Sequence, residues 1–295
     1  MRDRARAGLA LLLTDDPGAC LPTVLPTVLR LDARLRGGFA VDQVRAALLS
    51  AAEQVWRGLL ASGGRRERRF VFDTALAQGR LRLPDLVACA ETDPDVRIRA
   101  RAAEAACRET VWTRRLDVLR RLAGAARPEV RVVAVTGLVR GGQDDEAAAY
   151  LNDDAPLVRA VARDAARRLG VDARAHYRTV VSTGAPALGA IAGLAETGSA
   201  ADAPLLRPLL VHERAGVRAQ AVRGLRLLDA VVVGELAPLL RDPSPAVVRE
   251  VTAALRAALI LALDADPCLA ERGRADVTRW LPEPHRRSAR WPAGS

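Results

Sequence analysis

The sequence predicts an all-α protein in which helix pairs stack side by side into a solenoid. Three observations predict it. A pattern of proline, a branched or leucine anchor and small residues returns at gaps of 34, 28, 30, 29 and 30 residues. Half of the 295 residues are hydrophobic but only 3% are aromatic, a core of small aliphatics that suits closely packed helices better than strands. Glycine follows several units, at Gly141-Gly142, Gly170 and Gly198, where helix C-termini favour it.

The repeat is anchored on Val96, Val130, Val158, Leu188, Val217 and Val247. Two residues earlier stand Pro94, Pro128, Pro156, Pro186, Ala215 and Pro245. Proline lacks a backbone donor and has a fixed φ, so it suits the first turn of a helix. Acids beside it, such as Asp95 and Glu129, favour the same end through the helix dipole. Four residues after the anchor come Ala100, Ala134, Ala162, Ala192, Ala221 and Val251; seven after come Ala103, Gly137, Ala165, Ala195, Gly224 and Ala254. These positions share one helical face, and small side chains there let a neighbouring helix approach. One residue after the anchor, arginine fills Arg97, Arg131, Arg159 and Arg218 but gives way to Gly189 and Val248.

Ahead of each proline lies another apolar helical pattern: Leu83, Leu86 and Val87; Leu116, Leu119 and Leu122; Leu205, Leu206 and Leu209; Leu236, Leu239 and Leu240. Each unit reads as helix, short turn, helix, and buries its apolar face only by stacking. Three segments follow: an N-terminal helical cap with degenerate repeats over 1–82, about six repeats over 83–260, and a C-terminal cap with an Arg/Pro-rich tail over 261–295. In the cap, helices are expected from Pro26 to Leu35 and from Val41 to Leu60, separated by Gly37-Gly38.

The runs Asp93-Pro94-Asp95-Val96-Arg97 and Asp242-Pro243-Ser244-Pro245-Ala246-Val247 resemble the interhelical turn of HEAT repeats. With a length near 30, they are similar to the bacterial HEAT-like repeats of the phycobilin-lyase type. The resemblance covers about residues 83–260 and implies a right-handed α-α superhelix. In such proteins the arginine often pairs with a turn aspartate of a neighbouring unit; the resemblance implies that this ladder breaks at the fourth unit.

The basic side chains are all arginine, and the net charge is +10. By segment it is +6 over 1–82, +1 over 83–266 and +3 over 267–295, so the excess lies at the ends, including Arg65-Arg66-Glu67-Arg68-Arg69. Cys20, Cys89, Cys107 and Cys268 form no CxxC pair and read as reduced thiols of a cytoplasmic protein, Cys89 and Cys107 as buried and inert. The apolar run ending at Leu13 is too short to span a bilayer, and no membrane association is expected.

Catalytic motifs are sparse. His212-Glu213 is a single His-Glu dipeptide; deoxyhypusine hydroxylase, a HEAT-like enzyme, builds a di-iron centre from several. Asp144-Asp145-Glu146 and Asp153-Asp154 read as helix caps rather than a cation site. Ser182, near His176 and Tyr177, has no telling triad spacing. Trp112, near Arg114, Arg115 and Asp117, resembles the tryptophan-and-aspartate setting of HEAT-like alkylpurine DNA glycosylases, but its place at a unit boundary reads as core or groove filling. No catalytic residue, metal or cofactor is therefore expected, and the chain reads as no enzyme.

With 0, +4 and +7 inward, +5, +6 and +9 should face out, and Arg101, Arg163, Arg167, Arg223, Arg226 and Arg256 should line a concave binding surface. The expected function is a monomeric, cytoplasmic, non-enzymatic scaffold holding a protein partner, acidic by complementarity. The alternatives are a nucleic-acid-binding protein of DNA-glycosylase-like kind and a HEAT-like lyase.

Overall fold

The computed structural model describes residues 16–35, 39–183 and 186–265. Among these every regular element is helical, so the fold is all-α. The chain divides into two compact halves, Met1–Ala147 and Ala148–Ser295, a boundary that falls inside the 83–260 repeat segment. Gly37-Gly38, Cys268 and the Arg/Pro-rich stretch after residue 265 lie outside the described residues.

The N-terminal half contains α1 (Pro17–Leu35), α2 (Phe39–Ser50), α3 (Glu53–Ser62), α4 (Arg65–Ala77), α5 (Leu83–Thr92), α6 (Val96–Thr113), α7 (Leu116–Ala123) and α8 (Pro128–Arg140). They pack as pairs, α1 on α2, α3 on α4, α5 on α6 and α7 on α8, with α6 also lying against α8. The cap differs from the sequence expectation in two places. Its first helix starts at Pro17 and runs through Pro22 and Pro26, burying Leu21, Leu25 and Val28 at helical spacing. The expected helix from Val41 to Leu60 is two, because Ala52 takes an extended conformation between α2 and α3.

The longer helices of the C-terminal half are α9 (Pro156–Arg168), α10 (Ala173–Val181), α11 (Leu188–Thr197), α12 (Ala215–Leu227) and α13 (Pro245–Ala265). The expected first helices of the fifth and sixth repeats are short: Ala203–Leu206 runs into a 3-10 stretch over Arg207–Val211, and Val233–Leu236 into one over Ala237–Arg241. Pro208 and Pro238 lie in those stretches, where a missing N–H breaks the α-helical ladder.

Burial fixes the repeat register. Val130, Ala134, Val135, Gly137 and Leu138 are all buried. The same spacing recurs at Val217, Ala221, Val222, Gly224 and Leu225. In the first repeat it is met by Ile98, Ala102, Ala103 and Ala106, while Val96 is 45% exposed. In the fourth it is met by Pro186, Ala190, Ile191, Gly193 and Leu194. The anchors of repeats one and four are thus Ile98 and Pro186, each two residues from the proline-based assignment. In this register the +4 residues are Ala102, Ala134, Ala162, Ala190, Ala221 and Val251, and the +7 residues Ala105, Gly137, Ala165, Gly193, Gly224 and Ala254.

The +7 column is small because the partner helix of the same repeat crosses there. A Cβ on Gly137 would stand 2.8 Å from Leu119, and one on Gly224 2.7 Å from Leu206. On Gly193 it would overlap the ring of Tyr177, which is fully buried and donates from its hydroxyl to the Leu151 carbonyl at 3.0 Å. Among the described residues no helix is long and apolar enough to cross a membrane.

Candidate binding groove

The arginine that follows four of the six anchors is structural. The Nη1 donors of Arg99, Arg131, Arg159 and Arg218 each reach a carbonyl six residues back: Asp93, Ala125, Asp153 and His212. They thereby satisfy backbone acceptors of the interhelical turn. Arg99 fills this role in the first repeat; Arg97 is exposed. The turn is closed from the other side by a side chain five residues before the anchor. Asp93 accepts from the Asp95 N–H at 2.7 Å, Asp153 from Ala155 at 2.8 Å and Asp242 from Ser244 at 2.8 Å. His212 takes this place in the fifth repeat, its Nδ1 accepting from the Arg214 N–H at 3.0 Å. The His-Glu dipeptide is therefore turn chemistry.

Inter-repeat ion pairs extend this framework. Arg218 pairs with Asp242 at 2.7 Å, and Arg68 of the cap with Asp93 at 2.8 Å. Where the aspartate is missing the arginine turns elsewhere: Ala125 and Val181 occupy that place, and Arg99 and Arg159 bind Glu129 and Glu196 instead. In the cap, Arg65 and Arg69 converge on the buried N-cap Asp95 at 2.7 and 2.8 Å. Burial alone would raise that carboxyl; the two guanidiniums and the N–H groups of Ile98 and Arg97 outweigh it and hold it below the usual range. Three arginines of the 65–69 cluster thus serve the first turn, which weakens that cluster as a nucleic-acid surface.

Three arginines of the expected stripe already have carboxylate partners. Arg101 pairs with Asp73 at 2.6 Å, Arg163 with Glu196 at 2.5 Å and Arg167 with Asp164 at 2.7 Å. Arg226 is half-buried, its Nε without a hydrogen-bond partner, while Arg223 and Arg256 are exposed with no ion pair among the described residues. The premise about outward positions fails. In the proline-based count Ala102 was assigned outward but is buried, as are Val135 and Val222.

The other nucleophile and metal candidates are tied down as well. Ser182 donates to the Arg178 carbonyl at 2.6 Å, and His176 Nε2 lies 3.2 Å from Asn152. Burial pushes the Cys107 thiol up to about 12; burial, with Asp93 and Asp85 adding to it, pushes Cys89 up to about 11. Neither holds an appreciable thiolate fraction near neutrality.

A cleft lies between α6 and α8. Its volume is about 420 Å³, and it is lined by Glu104, Arg108, Val111 and Trp112 on α6 and by Val132, Val133, Thr136 and Arg140 on α8, with Cys107 and Gly137 at its base. Helix length extends one end of it. Counted from the equivalent Ile98 and Val130, α6 continues to Thr113 and α8 only to Arg140, an excess of five residues and about 7.5 Å at 1.5 Å per residue. Trp112 sits on that overhang and is 85% exposed, not the core or groove-filling residue expected. Arg114 then ends the helix in the left-handed conformation (φ 54°), its N–H bonded to the Thr110 carbonyl. Arg108, Arg140 and Glu104 are exposed and make no ion pair among the described residues. Arg108 and Trp112 follow Glu104 at i+4 and i+8, so all three share one face of α6.

Fold and groove define an all-helical repeat protein of stacked helix pairs. No protein-family model matches the chain, and no curated protein matches it. Solved structures similar to it include human deoxyhypusine hydroxylase in complex with glycerol, at 16% identity over 86% of this chain and 95% of that one, with a TM-score of 0.31. Two engineered proteins are similar at 17% identity over 78% and 94% (TM-score 0.23) and at 16% over 85% and 73% (TM-score 0.25). At these TM-scores the likenesses carry no argument about ligands or chemistry. The expectation that the chain is no enzyme is corrected: human deoxyhypusine hydroxylase, among the similar structures, is an enzyme, and an all-helical repeat fold does not exclude catalysis. No activity is transferred in its place.

Proposed function

We propose that this chain is a binding module that holds a protein partner in the groove between α6 and α8. The observation that carries the reading is Trp112, a large aromatic 85% exposed at the rim of a cleft with an apolar wall. Exposed tryptophans in concave settings make strong anchors, because they bring much contact area with little rotamer entropy to lose. The neighbouring Arg108 and Arg140 supply directional charge. The partner docks along the helices with its apolar side chains against Val111, Val132 and Val133. A cytoplasmic setting, and kinship with bacterial HEAT-like repeats of the phycobilin-lyase type, are parts of the same proposal. The first is supported by the free thiols Cys20, Cys89 and Cys107, the second by the 28- to 32-residue spacing of the burial-defined anchors.

The test is affinity capture from the source cell with three baits: the unaltered chain, Trp112→Ala and Arg167→Glu. The same protein should be captured by the first and third and lost by the second. Capture unaffected by Trp112→Ala overturns the reading.

A further inference from the structure

Resting on that reading, we propose that the segment held in the groove is acidic, with an Asp or Glu side chain next to a bulky apolar residue. The cleft has three chemically distinct parts. Val111, Val132 and Val133 form an apolar wall, Trp112 a flat aromatic rim, and Arg108 and Arg140 two guanidiniums on opposite helices. On the second helices Arg101, Arg163 and Arg167 already have carboxylates; these two, like Arg223 and Arg256, have none among the described residues, and they line the cleft beside its apolar wall. Guanidinium forks match carboxylates in shape and charge, and a carboxylate bridging them is held from both walls. An apolar residue beside it reaches Trp112 and the valines.

Glu104 sets the polarity. It lies one turn before Arg108 and two before Trp112, so the groove runs from an anionic end to a cationic, aromatic end. The carboxylate of the ligand sits toward Trp112, away from Glu104. A strongly basic segment, or a nucleic-acid strand with its charge spread evenly, matches only part of this gradient.

The probe is a capped peptide containing Asp-Leu-Phe-Asp, titrated calorimetrically into the full chain beside its Asn-Leu-Phe-Asn counterpart and oligo-dT. The acidic peptide should bind at least about tenfold more tightly than the amide peptide, with the preference shrinking as salt rises. Arg108→Glu and Arg140→Glu should each abolish the preference, while Glu104→Gln should tighten the acidic peptide about twofold. Circular-dichroism melting of each variant separates lost binding from lost folding. Equal affinity for the two peptides, or oligo-dT binding more tightly than the acidic peptide, overturns the proposal. These failures are distinct from failure of the parent reading. If cellular capture still depends on Trp112, the groove holds a protein of other chemistry; if it does not, the groove is not the protein-binding site.

Discussion

Two pairs of second helices, one in each half, use the same parts to opposite ends. In the C-terminal half, α9 and α11 are stitched together by Glu196, which takes both Arg159 and Arg163. Burial alone would raise that carboxyl, but the two arginines outweigh it and hold it low. Gly189 then brings α11 so close to the turn at Asn152 and Asp153 that a Cβ would overlap their carbonyl oxygens. In the N-terminal half, α6 and α8 are joined near their starts by Arg99 and Glu129, but diverge in length toward their ends. There Arg108 and Arg140 have no ion pair among the described residues, and an indole is exposed. Arginine content does not decide which pair is closed; what faces each guanidinium does.

Substitutions test that contrast. Gly189→Ala should be the most damaging, costing about 3 kcal/mol, because the obstructing atoms are backbone and have no rotamer to escape into. A urea midpoint unchanged by it would show that α11 is not held this closely. Glu196→Gln should cost about 2 kcal/mol, since Arg159 is almost wholly buried and keeps only its carbonyl partners, Asp153 and Asp154. The pH dependence has a definite sign. A carboxyl with a lowered folded pKa stabilises fully above its unfolded value near 4 and loses that contribution as pH falls through the folded value. Acid unfolding should therefore be steeper in the unaltered chain than in Glu196→Gln. Gly58→Ala, in the interior of α3 with open space around the added methyl, should instead stabilise by about 0.5–1 kcal/mol. Arg108→Ala should change stability by no more than about 0.5 kcal/mol, in contrast to Glu196→Gln. A large loss there would mean that the groove arginine has a structural duty.

The same contrast explains what could be read from the residues alone. The helix pairs and small columns were legible because close approach admits only alanine or glycine, whatever surrounds them. Gly137 and Gly224 sit where they were expected. Proline was a poorer ruler. It is tolerated just ahead of a helix as well as inside its first turn, so Pro94 precedes the N-cap Asp95 and Pro186 is itself the buried anchor. An error of two residues rotates a helix by about 200°, enough to exchange its faces. That slip touches Arg101, in the first repeat, and the ion pairs of Arg101 with Asp73 and of Arg163 with Glu196 are ones that no local pattern announces. Trp112 was misjudged, and the gaps gave little signal: the first gap of 34 residues shrinks to 32 once Ile98 is the anchor, beside 31 between Pro186 and Val217.

That surplus length has an evolutionary side. The five residues by which α6 outruns α8 are 109–113, of which only Thr110 is buried, just before the chain turns into α7. Insertions or deletions there alter the reach of one helix tip without moving any alanine or glycine that spaces the stack. If the groove binds as proposed, its preference is free to drift by lengthening and trimming a single rod, while the rest of the sequence stays under the discipline of packing.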